Sequence, residues 1–156
     1  MKQLLLSKCA VALVDDSDFE AVGKYKWTLS GSGYACREYS DNGIMKRVYL
    51  HRTLLSCPDS HEVDHINGNP LDNRRCNLRL ATHQENQCNQ YKQKSDTSSR
   101  YKGVYFDRFN QKWRAQITYK GTTRTLGRFS TEQEAALAYN KAATRYHGHY
   151  AKLNEI

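Results

Sequence analysis

Residues 62–90 read E-V-D-H-I-N-G-N-P-L-D-N-R-R-C-N-L-R-L-A-T-H-Q-E-N-Q-C-N-Q, and few local folds accommodate that order. Val63 and Ile66 flank Asp64 and His65 on a short apolar strand that must end at Asn67-Gly68-Asn69-Pro70. Asn-Gly tolerates positive φ at both positions, and proline cannot continue a ladder, so a turn is forced there. A second short strand carries Asn77, with Leu78 and Leu80 on one face and Arg79 on the other. Thr82-x-x-Glu85 then has the form of a capping box, which opens a helix carrying His83, Asn86 and Asn89. Strand, loop, strand and helix follow one another with polar residues at each junction.

The rest of the chain limits what can surround this unit. Its 156 residues suffice for one ordinary domain or two small ones, and with 38% hydrophobic residues and a mean hydropathy of −0.85 the core is lean. No apolar run approaches the length of a membrane span, and the N-terminal patch Leu4-Leu5-Leu6 is followed at once by Asp15-Asp16. The protein is therefore expected inside the cell and not secreted. The five cysteines, Cys9, Cys36, Cys57, Cys76 and Cys88, contain no C-x-x-C pair, so neither disulfides nor a structural zinc is expected, and most thiols are read as small buried hydrophobes. Charge is uneven. Residues 1–97 hold 13 basic and 12 acidic side chains, net +1, whereas residues 98–131 hold 8 and 1, net +7. A concentrated basic stripe is the electrostatic footprint of a polyanion binder.

In chain order, residues 1–55 read as β-rich. The run Ala12-Leu13-Val14 ends in an acidic turn at 15–18, a short helix and a strand share residues 19–29, and strands at 34–39 and 45–50 flank a hairpin loop with Asn42-Gly43. His51 and Arg52 begin a short helix. A structural role is preferred for His51, with a catalytic one left open. Residues 91–100 are polar and Ser/Thr-rich and read as a linker between domains at 1–90 and 101–156. Beyond it three strands are expected, at 103–106, 112–119 and 122–129, with Gly127 marking a bulge or a close approach. Trp113, Ala115, Ile117 and Tyr119 alternate with Arg114, Gln116 and Thr118. Ser130-Thr131 then caps a helix whose stripe of Ala135, Ala138, Tyr139, Ala142, Ala143 and Tyr146 covers one face of that sheet. The fold class is α+β.

The chemistry at 62–90 suits phosphodiester hydrolysis. His65 can activate water near neutral pH, a hard cation takes oxygen ligands such as Asp64 and Asn86, and the Asn77 amide can bridge the loop that holds His65. Residue types alone also fit a plain Asx-rich turn. The spacings go further: Asn77 lies twelve residues after His65 and Asn86 twenty-one. Asp64-His65, Asn77-Leu78-Arg79 and Glu85-Asn86 resemble the HNH endonuclease motif in the form found in phage and intron-encoded homing endonucleases. The resemblance implies a ββα fold around one divalent metal, magnesium first and manganese second. It implies Asp64 and Asn86 as ligands, with His83 the rival for the second place, His65 as general base and Asn77 as the structural asparagine.

The C-terminal unit carries a second resemblance. Tyr101-Lys102-Gly103-Val104, Trp113-Arg114-Ala115-Gln116-Ile117, Leu126-Gly127-Arg128-Phe129 and the helix from Glu134 to Ala143 are similar to the Apetala/ethylene-response-factor DNA-binding domain. That family enters the major groove with its sheet. The positions this implies here are Lys102, Tyr105, Gln116, Thr118, Thr123 and Thr125, with Tyr139 near a phosphate, while Arg108, Arg114, Arg124 and Arg128 keep the segment basic. Together the two resemblances imply a metal-dependent endonuclease on double-stranded DNA, in the cytoplasm of a bacterial or phage-infected cell, nicking as a monomer or cutting both strands as a dimer. The competing readings are a DNA-binding regulator built on an inactive scaffold and a structure-selective or RNA-directed nuclease.

Overall fold

The structure, a computed structural model, describes residues 1–92 and 97–156. The chain divides into two compact units, Met1–Asn86 and Gln87–Ile156, each of mixed α+β architecture.

In the first unit, β1 (Lys2–Leu5) and β2 (Val11–Val14) form an antiparallel hairpin in the register Lys2↔Val14. The sequence reading saw only an apolar patch at β1. The acidic run read as a turn is in fact the start of α1 (Asp16–Gly23), where Asp16 and Asp18 lie in the first turn and favour the positive end of the helix dipole. The sheet β3 (Thr28–Leu29), β4 (Ala35–Asp41), β5 (Ile44–Tyr49) turns at Asn42 and Gly43, both at positive φ, as a tight hairpin requires. α2 (Leu50–Leu54) follows. β6 (Glu62–His65) then pairs antiparallel with β7 (Leu78–Ala81), and α3 (His83–Asn89) completes a ββα unit. Asn77 is not inside the second strand, as expected, but closes a 3-10 turn, Arg75–Asn77, just before it. Thr82 and Glu85 exchange both capping bonds at the start of α3.

The core of this unit gathers Val14, Trp27, Leu50, Leu54, Val63 and Leu78, so both strands of the ββα unit are anchored in it. Full burial of side chains of this kind contributes about 1.5–3 kcal/mol each. The N-terminal hairpin also grips the long loop between β6 and β7. Leu13 N–H donates to Leu71 O and Asn73 N–H to Leu13 O, both at 2.8 Å, while Arg75 makes a two-point pair with Asp18 and its backbone N–H reaches Asp15.

In the second unit β8 (Val104–Asp107), β9 (Lys112–Tyr119) and β10 (Thr122–Phe129) form a sheet in the order β10-β9-β8, and α4 (Glu132–His147) packs on one face. Thr131 and Glu134 form its capping box. Ala135, Ala136 and Ala143 are fully buried, and their small side chains let the helix lie close to the strands. Gly103, at φ +73, cannot be replaced: a Cβ there would stand 2.1 Å from the Tyr139 ring. The linker expected at 91–100 falls in part on residues 93–96, outside the described set. Of its remaining residues, Ser99 is buried and Lys92 Nζ donates to the carbonyls of Ser99, Tyr101 and Val104. The cysteines are free, and the expectation that most are buried does not hold, because Cys9 and Cys76 are exposed and only Cys36 is buried. Among the described residues no helix is long and apolar enough to cross a membrane.

Candidate functional site

The loop after β6 is built from asparagines that fold back on it. Asn67 Oδ1 accepts from Asn69 N–H and Asn69 Oδ1 from Leu71 N–H, each a short Asx turn. Asn77 spans the loop. Its Oδ1 accepts from Asn67 N–H at 3.0 Å, and its Nδ2 donates to Asn67 Oδ1 at 3.0 Å and to Asp72 O at 2.8 Å. Arg74 pairs with Asp72 through two nitrogens, and that guanidinium holds the Asp72 carboxyl below the usual carboxylate range. Gly68, at φ 76, makes the turn itself.

His65, 6% exposed, ends β6 above this loop. Its Nε2 lies 3.4 Å from Asn73 Oδ1. The Asn73 amide is oriented by its nitrogen, which donates to Pro70 O, so Oδ1 is the end that meets the imidazole. A carbonyl oxygen only accepts, so Nε2 carries the proton and Nδ1 is the basic nitrogen. Burial pushes the His65 pKa below the ordinary histidine value, against the opposing pull of Asn73, Asp64 and Asp72. The ring is therefore neutral at pH 7. It makes an edge contact with His51, ring centroids 5.2 Å apart. His51, on α2, also stacks on Tyr49 and meets Tyr34 edge-on.

Period-2 alternation turns Glu62 and Asp64 to the same face of β6, away from His65. Asp64 is 4% exposed and pairs with Arg79, which stands directly across the ladder, at 2.6 Å. Glu62 gathers the helix residues: Asn86 Nδ2 donates to one carboxylate oxygen and His83 Nδ1 lies 2.7 Å from the other. Those bonds, Asn86 first, lower the Glu62 pKa. With its nitrogen committed, the Asn86 amide presents its oxygen as the end for a ligand. Glu62, Asn86, Tyr34, Tyr49 and His51 line a cavity of about 230 Å³. Asp64, His65 and His83, the rival for the metal position, are not among its lining residues, and the His83 side chain is 74% exposed. Among the described residues no group of three or more His, Cys, Asp and Glu side chains is arranged to hold a metal ion; the expected pair is smaller and includes an amide. Sequence reasoning missed Glu62, Asn73 and Arg79. Alternation from Asp64 points to Glu62, whereas nothing in the spacing singles out Asn73.

In the second unit, register decides which side chains reach the open face of the sheet. The pairs Tyr105↔Arg114↔Arg128, Gln116↔Thr125 and Thr118↔Thr123 lie on the face opposite α4. Arg114 donates to Thr125 and has its guanidinium over the Tyr105 ring, the Thr118 and Thr123 hydroxyls are 2.9 Å apart, and Arg128 reaches Asp107. Arg108 is exposed in the β8–β9 turn. Three expected contact residues are elsewhere. Arg124 pairs across the ladder with Ile117, hence lies on the helix side, over Tyr146. Tyr139 is 3% exposed in the core under the sheet. Lys102 Nζ is held by the carbonyls of Cys88 and Gln90, each at 2.7 Å, and burial lowers its pKa.

Comparison with known proteins agrees with this geometry. A family model described as HNH endonuclease matches residues 56–88, the whole ββα unit but for its last residue. An uncharacterized HNH endonuclease of Acanthamoeba polyphaga mimivirus is 36% identical over 155 residues, 96% of this chain and 77% of the relative. Protein 3.8 of Escherichia phage T7 is 33% identical over 96 residues, 62% of this chain and 78% of the relative. The C-terminal part is 47% identical over 57 residues to an AP2/ERF and B3 domain-containing protein of Oryza sativa subsp. japonica, which covers 36% of this chain and 15% of the relative. No solved structure matches. The chain belongs to the HNH endonuclease family and is a nuclease of that type.

Proposed function

We propose that the chain is a divalent-metal-dependent endonuclease of the homing type, acting on duplex DNA that its C-terminal sheet binds. The observation that carries this reading is His65: buried, neutral, with Nε2 tied to Asn73 and next in sequence to Asp64. The donors available for a metal are oxygens, the Asp64 carboxylate and the Asn86 amide, with the Glu62 carboxylate on the same strand face. That set suits a hard cation, magnesium or in its place manganese, better than a soft one. When bound there, the ion supplies charge neutralisation at the phosphate and at the leaving oxygen. His65 Nδ1 takes the proton from the attacking water, Asn77 holds the loop beneath it and Arg79 orients Asp64. One such site per chain leads to a nick by a monomer.

DNA contact falls to Tyr105, Arg108, Arg114, Gln116, Thr118, Thr123, Thr125 and Arg128. Guanidiniums and amides in a row suit guanine and adenine edges and the flanking phosphates, and the partial match to plant AP2/ERF sequences supports the same use of a sheet. The test is supercoiled plasmid incubated with the full chain and magnesium, beside EDTA and beside His65→Ala. Nicked circles with wild type and magnesium only, and unimpaired DNA binding by His65→Ala, are expected. Equal cleavage in EDTA, or equal cleavage by His65→Ala, refutes the reading.

A further inference from the structure

His51 has no task in the scheme above, yet it is placed at the site. It is 8% exposed, held by Tyr34, Tyr49 and His65 around its ring, and it lines the same cavity as Glu62 and Asn86. A packing role alone would be filled by phenylalanine. Instead the chain buries a polar ring whose Nδ1 is fully shielded and without a hydrogen-bond partner, a cost of roughly 1–3 kcal/mol for a group of this kind. Among the described residues the other nitrogen, Nε2, has no partner either, and it is not shielded.

These facts select a tautomer. A neutral imidazole has one N–H and one lone pair, and a buried orphan N–H is rarer than a buried orphan acceptor. The proton therefore belongs on Nε2, the nitrogen that keeps access to the cavity, and the shielded Nδ1 keeps the lone pair. The neighbouring cation, Arg52, lines the same cavity, but its terminal nitrogens are already engaged by the carbonyls of Cys57, Pro58 and His61. We infer that His51 is a substrate-contacting residue whose Nε2–H donates to a non-bridging oxygen of the phosphodiester being hydrolysed. A fixed donor in a water-poor wall, beside the ring that activates the water, stabilises charge as it grows on that oxygen. This assignment rests on the phosphodiester-hydrolase reading.

Two variants of the full chain separate contact from packing. His51→Phe keeps the ring stack and removes the donor. His51→Gln places an amide nitrogen near the Nε2 position. In single-turnover plasmid cleavage with magnesium, His51→Phe should lose about 10²–10³-fold in rate, far more than it loses in duplex affinity in EDTA, and His51→Gln should recover a large part of that loss. Cleavage by folded His51→Phe at the wild-type rate, or no recovery by His51→Gln, overturns the inference while leaving the nuclease reading intact. Imidazole ¹⁵N NMR of the wild-type chain in EDTA gives an answer even if a variant fails to fold or wild type does not cleave. It should show His51 as the Nε2–H tautomer, with that resonance shifting when a short duplex is added. An Nδ1–H tautomer, or a resonance that ignores the duplex, refutes it.

Discussion

Asn77→Ala isolates what the asparagine scaffold contributes to the site. The substitution removes three hydrogen bonds made by a side chain that is 7% exposed. The two to Asn67 end on an exposed residue that water can reach, so each costs about 0.5–1.5 kcal/mol. The third leaves the Asp72 carbonyl without its donor in a residue that is 2% exposed, about 1–3 kcal/mol more. The sum is about 4 kcal/mol, which in a unit the size of Met1–Asn86 corresponds to a drop in melting temperature of about 16–32 °C. Asn77→Asp should fall nearly as far, because a carboxylate keeps the contact with Asn67 N–H but has no proton for Asp72 O. Far below both melting points, cleavage should still drop about 10–100-fold, the usual scale for groups that orient a site from behind. Thermal unfolding by circular dichroism and plasmid nicking at 15 °C measure the two effects. An Asn77→Ala protein that melts with wild type would show that the loop is held by other bonds, and the scaffold argument would fail.

Two further outcomes follow from burial and from register. Burial pushes His51 down to about 3 from an ordinary 6.5. The folded state therefore prefers the neutral ring; its stabilising contribution is complete above pH 6.5 and is lost as pH falls toward 3. Between pH 6.5 and pH 5 this amounts to about 2 kcal/mol, so urea unfolding of His51→Phe should show a shallower acid loss than wild type by that amount, and equal losses would contradict it. In the sheet, Arg114→Gln and Arg128→Gln should each reduce the slope of log affinity against log salt by roughly 0.9 if the side chain meets a phosphate. Arg124→Gln, on the helix side, should leave the slope unchanged, and a fall equal to that of Arg114→Gln would refute the face assignment.

The parts of this molecule legible in the sequence are those with a local cause. Asn42-Gly43, Thr82 with Glu85 and Thr131 with Glu134 fix turns and helix starts through bonds only a few residues long, and all three are present. What could not be read is which partner a polar side chain takes across the fold. Arg124 and Arg128 are four residues apart, so strict alternation puts both on one face. The bulge between Thr125 and Gly127 adds one residue and turns Arg128 to the open face while Arg124 stays opposite Ile117. Lys102 sits in a basic stretch and reads as a DNA contact, but its long stem carries the ammonium to backbone carbonyls instead. The acidic run at 15–18 reads as a turn because its use lies about sixty residues away, where Asp15 and Asp18 take the two ends of Arg75. That same distance shapes the candidate site. Asp64, His65, Asn77 and Asn86 announce themselves by spacing, yet Asn73 reaches His65 only because the strand before the acidic run, through Leu13, grips the loop on which Asn73 sits. The N-terminal hairpin thus contributes no group to the proposed chemistry and still holds the loop from which Asn73 meets His65, the proposed general base.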